Sequence, residues 1–227
     1  MMKRRVGRQL ELEKTGGWGG RRKGAGRKPK GEKALMSRAR RPRLSRHHPV
    51  HVTSRMLPHV WNLRSKRGFR VLRQAMSGGS DRFGFRLCDF TIEGNHLHFI
   101  VEADSERALS RGMRGLAIRI AKALNRLMQR HGQVFADRYH AHVLKTPTEV
   151  RHALRYVRAN HDSHRHRRGE VVIGLPDEFS SAHPEHHVQL AKALTYLLKQ
   201  VYRQLGPPVR PPPLPLPDPK SEPRPRR

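Results

Sequence analysis

Strand-like and helix-like runs of residues alternate in a definite order between positions 48 and 144. The first run, His48–Leu57, is rich in β-branched residues and meets a proline at its end, a pattern that predicts a strand. A run with apolar residues at helical spacing follows and stops at Ser77-Gly78-Gly79-Ser80, a sequence that breaks helices. The first two elements are therefore predicted to be a strand and a helix.

Two strands are predicted next, over Phe83–Glu93 and His96–Glu102. Gly94-Asn95 lies between them and tolerates the left-handed backbone of a tight hairpin. A long amphipathic helix over residues 105–131 and a fourth strand over Phe135–Leu144 follow. This part of the chain therefore contributes a hairpin, a helix and a strand.

A third helix is predicted to begin near Pro147, because Thr146-Pro147-Thr148-Glu149 forms a capping box with proline at the first helical position. The order βαββαβ followed by an additional helix is that of a ferredoxin-like (RRM-like) α+β sandwich, in which helices pack on an antiparallel sheet. Apolar residues including Leu190 and Leu194 predict a last packing helix over His187–Leu205.

The charge of the chain points to a polyanionic partner. The 227 residues include 48 Lys and Arg against 18 Asp and Glu, a formal charge of +30 with histidine neutral. The single cysteine, Cys88, excludes a disulfide framework. No apolar run approaches the roughly 18 residues that a membrane span needs. We therefore expect a cytoplasmic, nucleoid-associated protein without a membrane partner.

Composition divides the chain into four segments. Residues 1–47 are basic and poor in apolar residues, which predicts a disordered arm. Residues 48–165 form the predicted folded domain, residues 166–205 a helical extension, and residues 206–227 a proline-rich tail.

Two histidines and a tyrosine form the most specific candidate site. His96 and His98 are two apart on a predicted strand, so both imidazoles face the same side of the sheet. A divalent metal held by them needs a further ligand, such as an amide oxygen from a covering helix. The third helix offers Asn160, and Tyr156 lies four residues earlier on the same helical face. A metal bound to His96, His98 and Asn160 would therefore leave Tyr156 close to a bound phosphate.

These residues carry a resemblance to a known family. Gly94-Asn95-His96-Leu97-His98, the segment Phe135–His140 and the helix segment Tyr156–Asn160 resemble the single-tyrosine transposases with an HUH motif (His-hydrophobic-His). The similarity is greatest to the insertion-sequence-200-like and REP-associated tyrosine transposases, and it covers about half of the chain. It implies an enzyme dependent on Mg²⁺ or Mn²⁺ that nicks and rejoins single-stranded or hairpin DNA. Tyr156 would be its nucleophile and would form a 5′-phosphotyrosine.

Several cations are candidates for contacts with DNA. Two flank the proposed nucleophile, three lie on the polar side of the long helix, and two belong to a weak minor-groove hook motif in the basic arm. In that order they are Arg155, Arg158, Arg111, Arg114, Lys122, Arg27 and Lys28.

Two alternatives remain open at this point. A catalytically silent protein of the same fold would bind nucleic acid by stacking bases on sheet aromatics, for which the candidates are Phe83, Phe85, Phe90 and Phe99. Tyr139 is a competing nucleophile, although a structural role is favoured for it because no asparagine follows one helical turn later. The chain is expected to act either as a monomer or as a homodimer.

Overall fold

The computed structural model describes residues 43–167, 177–183 and 190–206. Residues 1–42 of the basic arm, including Arg27 and Lys28, and residues 207–227 of the proline-rich tail lie outside the described ranges. The side chains of residues 159–167 are also outside the description, and Asn160 is among them.

A five-stranded antiparallel sheet forms the centre of the fold, with the spatial order β2-β3-β4-β1-β5. The strands are β1 (Val50–Arg55), β2 (Asp81–Arg82), β3 (Phe85–Ile92), β4 (His96–Ala103) and β5 (His140–Val143). Without the two-residue β2, the remaining strands and the helices between them follow the predicted βαββαβ order. The predicted ferredoxin-like α+β class is therefore confirmed.

In the part of the chain that the structure describes, four helices cover the two faces of the sheet. They are α1 (Lys66–Ser77), α2 (Glu106–Leu127), α3 (Pro147–Arg167) and α4 (Tyr196–Leu205). Buried residues of α1 and α2 belong to one core cluster, and buried residues of α3 and α4 belong to the other. No helix among the described residues is both long and apolar enough to cross a membrane.

The core beneath α1 and α2 contains three of the four aromatic residues proposed to stack bases. Phe85, Phe90 and Phe99 are fully or almost fully buried there. The base-stacking prediction is therefore wrong for these three, because their strand positions face the helices rather than solvent. Phe83 differs, since 85% of its surface is exposed.

The core beneath α3 faces the other side of the sheet. Val150, Leu154 and Val157 form the predicted apolar stripe of α3, and all three are fully buried against a cluster that includes Cys88 and Ile100. A β-bulge lies between Leu87 and Asp89, where the pairing of β3 with β4 shifts. Because of this extra residue, both Cys88 and Asp89 contact elements on the α3 side of the sheet.

The last helix is shorter than predicted. It begins at Tyr196, and Thr195 caps it by accepting a hydrogen bond from the backbone N–H of Leu198. The buried carboxylate of Glu102 accepts hydrogen bonds from the backbone N–H groups of Leu194 and Thr195, which hold them before the first turn. Leu194, predicted to pack on this helix, is instead more than half exposed.

The fourth predicted strand is also shorter, because only His140–Val143 forms β5. Phe135 makes an isolated bridge with Met56, and the chain leaves the ladder before it reaches β5. Tyr139 therefore lies in a loop, packed against the core beneath α1 and α2, and not on a strand.

Candidate active site

The two histidines of the HUH motif lie near the start of β4, next to β1. Leu97, between them, is fully buried, and the pairing register sets Thr53 of β1 directly opposite His98. His51 follows the same alternation on β1 as Thr53, two residues away. The HUH histidines therefore share one face of the sheet with two polar residues of the neighbouring strand.

Each HUH histidine is held through its Nδ1 atom. His98 Nδ1 lies 3.1 Å from Thr53 Oγ1 and 3.2 Å from His51 Nε2. His96 Nδ1 lies 2.8 Å from the side-chain oxygen of Asn95. Because an amide oxygen only accepts hydrogen bonds, His96 Nδ1 is the donor, and the neutral ring then carries its lone pair on Nε2. Such support of one ring nitrogen is typical of metal-binding histidines, which ligate through the other.

Tyr156 lies beside this histidine pair. Its ring centroid is 5.1 Å from that of His98 and 5.8 Å from that of His51, and the His96 and His98 centroids are 4.7 Å apart. The tyrosine is 43% exposed, because it lies off the buried stripe of α3. The structure thus brings together three of the residues selected from the sequence, namely His96, His98 and Tyr156. It adds His51, which sequence reasoning missed.

The donor set is compatible with a metal ion only if a further ligand joins the two imidazoles. Among the described residues, no three His, Cys, Asp or Glu side chains are grouped so that they could hold a metal. Asn160 lies four residues after Tyr156 on α3, one turn along the helix, and is the predicted source of an oxygen ligand. Two imidazoles with an amide oxygen suit Mn²⁺ better than Mg²⁺, which prefers oxygen ligands alone.

His51 is held neutral at physiological pH. Burial, with smaller contributions from His142 and His140 on β5, lowers its pKa from 6.5 to about 4. In the unfolded chain the same imidazole takes up its proton near pH 6.5. Between pH 6.5 and about 4 the unfolded state therefore binds more protons, and the free energy of unfolding falls as the pH falls.

We expect the His51 imidazole to lower the free energy of unfolding of the metal-free protein by about 1 to 2 kcal/mol as the pH falls, allowing for the partial exposure of the ring. Chemical denaturation in the presence of a chelator, at pH 7 and pH 4.5, measures it. His51→Gln should reduce the difference between the two pH values, whereas the exposed His131→Gln should leave it unchanged. The same pH dependence in wild type and His51→Gln would contradict the assignment.

The two arginines predicted to flank the nucleophile have different environments. Arg155 is exposed on α3. Arg158 is mostly buried, and its guanidinium donates to the fully buried carboxylate of Asp89 at 2.8 Å and 3.0 Å. It also donates to the backbone carbonyl of Gly206, at the end of α4. Arg158 therefore joins α3 to β3 and to the C-terminal helix, and its charge is neutralised by Asp89 and not directed to solvent.

The predicted cations of the long helix are not part of this cluster, because α2 covers the opposite face of the sheet. Arg111, Arg114 and Lys122 are exposed there. Arg114 lines a cavity of about 360 Å³ together with Arg138 and Tyr139. Any contact of these cations with DNA is therefore separate from the surroundings of Tyr156.

Comparison with known proteins shows what the central part of the chain is similar to. Residues 53–160 match the family model described as "Transposase IS200 like". Curated protein sequences give no match. Among solved structures, the chain is similar to a REP-associated tyrosine transposase bound to a REP hairpin. The sequences are 18% identical, the match covers 57% of this chain and 74% of the other, and the TM-score is 0.46. A candidate transposase from Deinococcus radiodurans R1 is 11% identical over 61% of this chain and 100% of that one, with a TM-score of 0.34. Residues 53–160, slightly less than half of the chain, are therefore similar in sequence to the IS200-like transposases.

Proposed function

We propose that this protein is a transposase that nicks and rejoins single-stranded or hairpin DNA through a 5′-phosphotyrosine formed on Tyr156, in DNA transposition or in the processing of repeats. The observation that supports the proposal best is the juxtaposition of an accessible tyrosine with the HUH histidines, at 5.1 Å between the ring centroids of Tyr156 and His98. A protein that only binds nucleic acid does not require this combination.

The histidines and Asn160 would hold a divalent cation, Mg²⁺ or Mn²⁺. When bound, such a cation supplies positive charge against the oxygens of a phosphate. The residues around it have an orienting role. Thr53 and His51 fix the ring of His98, and Asn95 fixes the ring of His96, so both imidazoles are positioned before substrate binds.

The covalent step exchanges one phosphate ester for another. The hydroxyl oxygen of Tyr156 forms a bond to the scissile phosphorus, and the bond from phosphorus to the 3′ oxygen breaks. The phenol proton passes to solvent, and the departing 3′ oxygen takes up a proton from solvent. Because a phosphodiester is retained on the tyrosine, attack by a 3′-hydroxyl reverses the step and rejoins a strand. A phenol needs nearby positive charge to act as a nucleophile at neutral pH, and exposed Arg155 lies next to Tyr156 in α3.

The charge of the chain supports DNA as the partner. A formal charge of +30 favours phosphate contacts that weaken as the salt concentration rises. The exposed cations of α2 and α3, and Arg27 and Lys28 of the arm, are proposed to make such contacts. The proposal holds for either a monomer or a homodimer.

The experiment that tests this function uses purified protein and hairpin oligonucleotides taken from the DNA that flanks its gene, labelled at the 5′ or the 3′ end. With Mn²⁺ or Mg²⁺ we expect an adduct that survives denaturation and retains the 3′ label, because the tyrosine holds the strand on the 3′ side of the nick. Tight, salt-sensitive binding without any adduct would favour the catalytically silent alternative.

The double variant His96→Ala/His98→Ala is expected to lower adduct formation by roughly 1000-fold or more, because both imidazole ligands are removed. DNA affinity measured by fluorescence anisotropy should change by less than about threefold, since affinity depends mainly on the basic surfaces. His131→Ala, at an exposed position outside the site, is the matched control. Unchanged adduct formation in the double variant would contradict the assignment of the HUH pair.

A further inference from the structure

The turn between β2 and β3 carries an aromatic residue in an unfavourable backbone conformation. Phe83 and Gly84 both have positive φ, at 52° and 75°, and Arg82 pairs with Phe85 across the turn. A two-residue hairpin turn with both central residues in this region favours Asn-Gly. A bulky residue such as phenylalanine is costly at the first of these positions.

Packing does not explain this residue, because Phe83 is 85% exposed. An exposed, strained aromatic residue offers no gain to the isolated fold that would offset its cost. Strained backbone of this kind is concentrated at functional sites.

Phe83 borders a groove that is suited to a phosphate backbone. The groove has a volume of about 200 Å³. Besides Phe83, its lining consists of three glycines and three arginines, and it contains no acidic residue. The lining residues are Gly79, Gly112, Gly115, Arg82, Arg111 and Arg119.

The charge of this groove is not neutralised within the described part of the chain. There, none of the guanidinium groups of Arg82, Arg111 and Arg119 takes part in an ion pair. Asp104, the acidic residue that approaches Gly84, is paired with Arg86 at 2.9 Å. A side chain at Gly115 would meet no atom within 4 Å of its Cβ, so the floor of the groove is open to a ligand.

We propose that Phe83 stacks on an unpaired base of the DNA substrate while the arginines of the groove contact the adjacent phosphates. Aromatic stacking next to a basic groove is how proteins bind single-stranded nucleic acid without reading its sequence. The groove lies on the α2 side of the sheet, so this contact is separate from Tyr156. The inference deepens the proposed function, since that function supplies DNA with unpaired bases as the substrate.

The test compares two DNA probes by fluorescence anisotropy: a fluorescein-labelled stem-loop with an unpaired single-stranded extension, and a blunt duplex of the same stem. Phe83→Asn should raise the Kd for the stem-loop by about tenfold, within the range measured for loss of one stacked base, and should change the Kd for the duplex by less than about twofold. The midpoint of thermal unfolding of the Phe83→Asn variant should equal or exceed that of wild type, because asparagine is favoured at this position of the turn.

Two further variants complete the experiment. Gly115→Leu, which fills the groove from its open floor, should weaken stem-loop binding to a similar extent. Tyr196→Asn removes a comparably exposed aromatic residue from α4 and should leave affinity unchanged. Wild-type affinity of Phe83→Asn for the stem-loop, or an equal loss on both probes, would overturn the inference.

The outcome is distinguishable from a failure of the proposed function. Absence of a covalent adduct with wild-type protein would refute the nickase chemistry, while the affinities would still decide the role of Phe83. Conversely, normal adduct formation through Tyr156 together with wild-type affinity of Phe83→Asn would refute only the stacking contact.

Discussion

Replacing Tyr156 by phenylalanine is expected to reduce formation of the covalent protein–DNA adduct by roughly 1000-fold or more, as loss of a nucleophile does in other enzymes. The substitution removes only the hydroxyl oxygen that would bond to phosphorus. Because the ring is half exposed at the edge of the histidine cluster, folding and DNA affinity should be nearly unchanged. The measurement is the yield of denaturation-resistant adduct on a 3′-labelled hairpin oligonucleotide at saturating protein.

Tyr139→Phe is the matched control for this experiment. Tyr139 lies in the loop before β5 and lines a cavity with residues of α2, on the side of the sheet away from the HUH pair. Its variant should form adduct at close to the wild-type rate. Loss of the adduct in Tyr139→Phe and its persistence in Tyr156→Phe would transfer the nucleophile assignment to Tyr139.

Replacing Arg158 by alanine is expected to destabilise the fold by about 3 kcal/mol, because it leaves the buried carboxylate of Asp89 without its counter-charge. Urea denaturation at pH 8, followed by circular dichroism, measures this loss. The slope of log Kd against log salt should not change, since the guanidinium of Arg158 is directed to Asp89 and not to phosphate.

Arg155→Ala provides the opposite pattern from the same helix. Arg155 is exposed, so its removal should change the free energy of unfolding by less than about 0.5 kcal/mol. The slope of log Kd against log salt concentration should fall by about one, because one phosphate contact is lost. A stable Arg158→Ala protein with a reduced salt slope would show that Arg158 contacts DNA, as the sequence predicted.

The same ion pair has a pH signature. Burial raises the pKa of Asp89 despite the opposing effect of Arg158. Without Arg158 this carboxyl binds its proton more readily in the folded than in the unfolded state, so the folded state gains stability as the pH falls. The difference in the free energy of unfolding between wild type and Arg158→Ala should therefore be smaller at pH 5 than at pH 8. Adding Asp89→Asn to this variant should recover part of the lost stability at pH 8.

Much of the fold could be predicted because its signals are local. The alternation of β3 and β4 and the apolar stripes of α2 and α3 appear directly in the spacing of their residues. The places where prediction failed were decided by distant partners. Glu102 of β4 holds residues 194 and 195 before the first turn of α4, and no local pattern reveals that contact.

The candidate site divides in the same way. The spacing of His96 and His98 on a strand, and of Tyr156 and Asn160 on a helix, was sufficient by itself to predict which side chains share a face, because strand and helix periods are properties of the local backbone. Only the tertiary structure could show that β1 lies beside β4, so that His51 and Thr53 hold His98. Only the bulge at Cys88 directs Asp89 towards Arg158, and only the hairpin turn leaves Phe83 exposed above the α2 groove. These features depend on strand pairing between distant segments, whose register is set by packing of the whole domain and not by the residues of either strand alone.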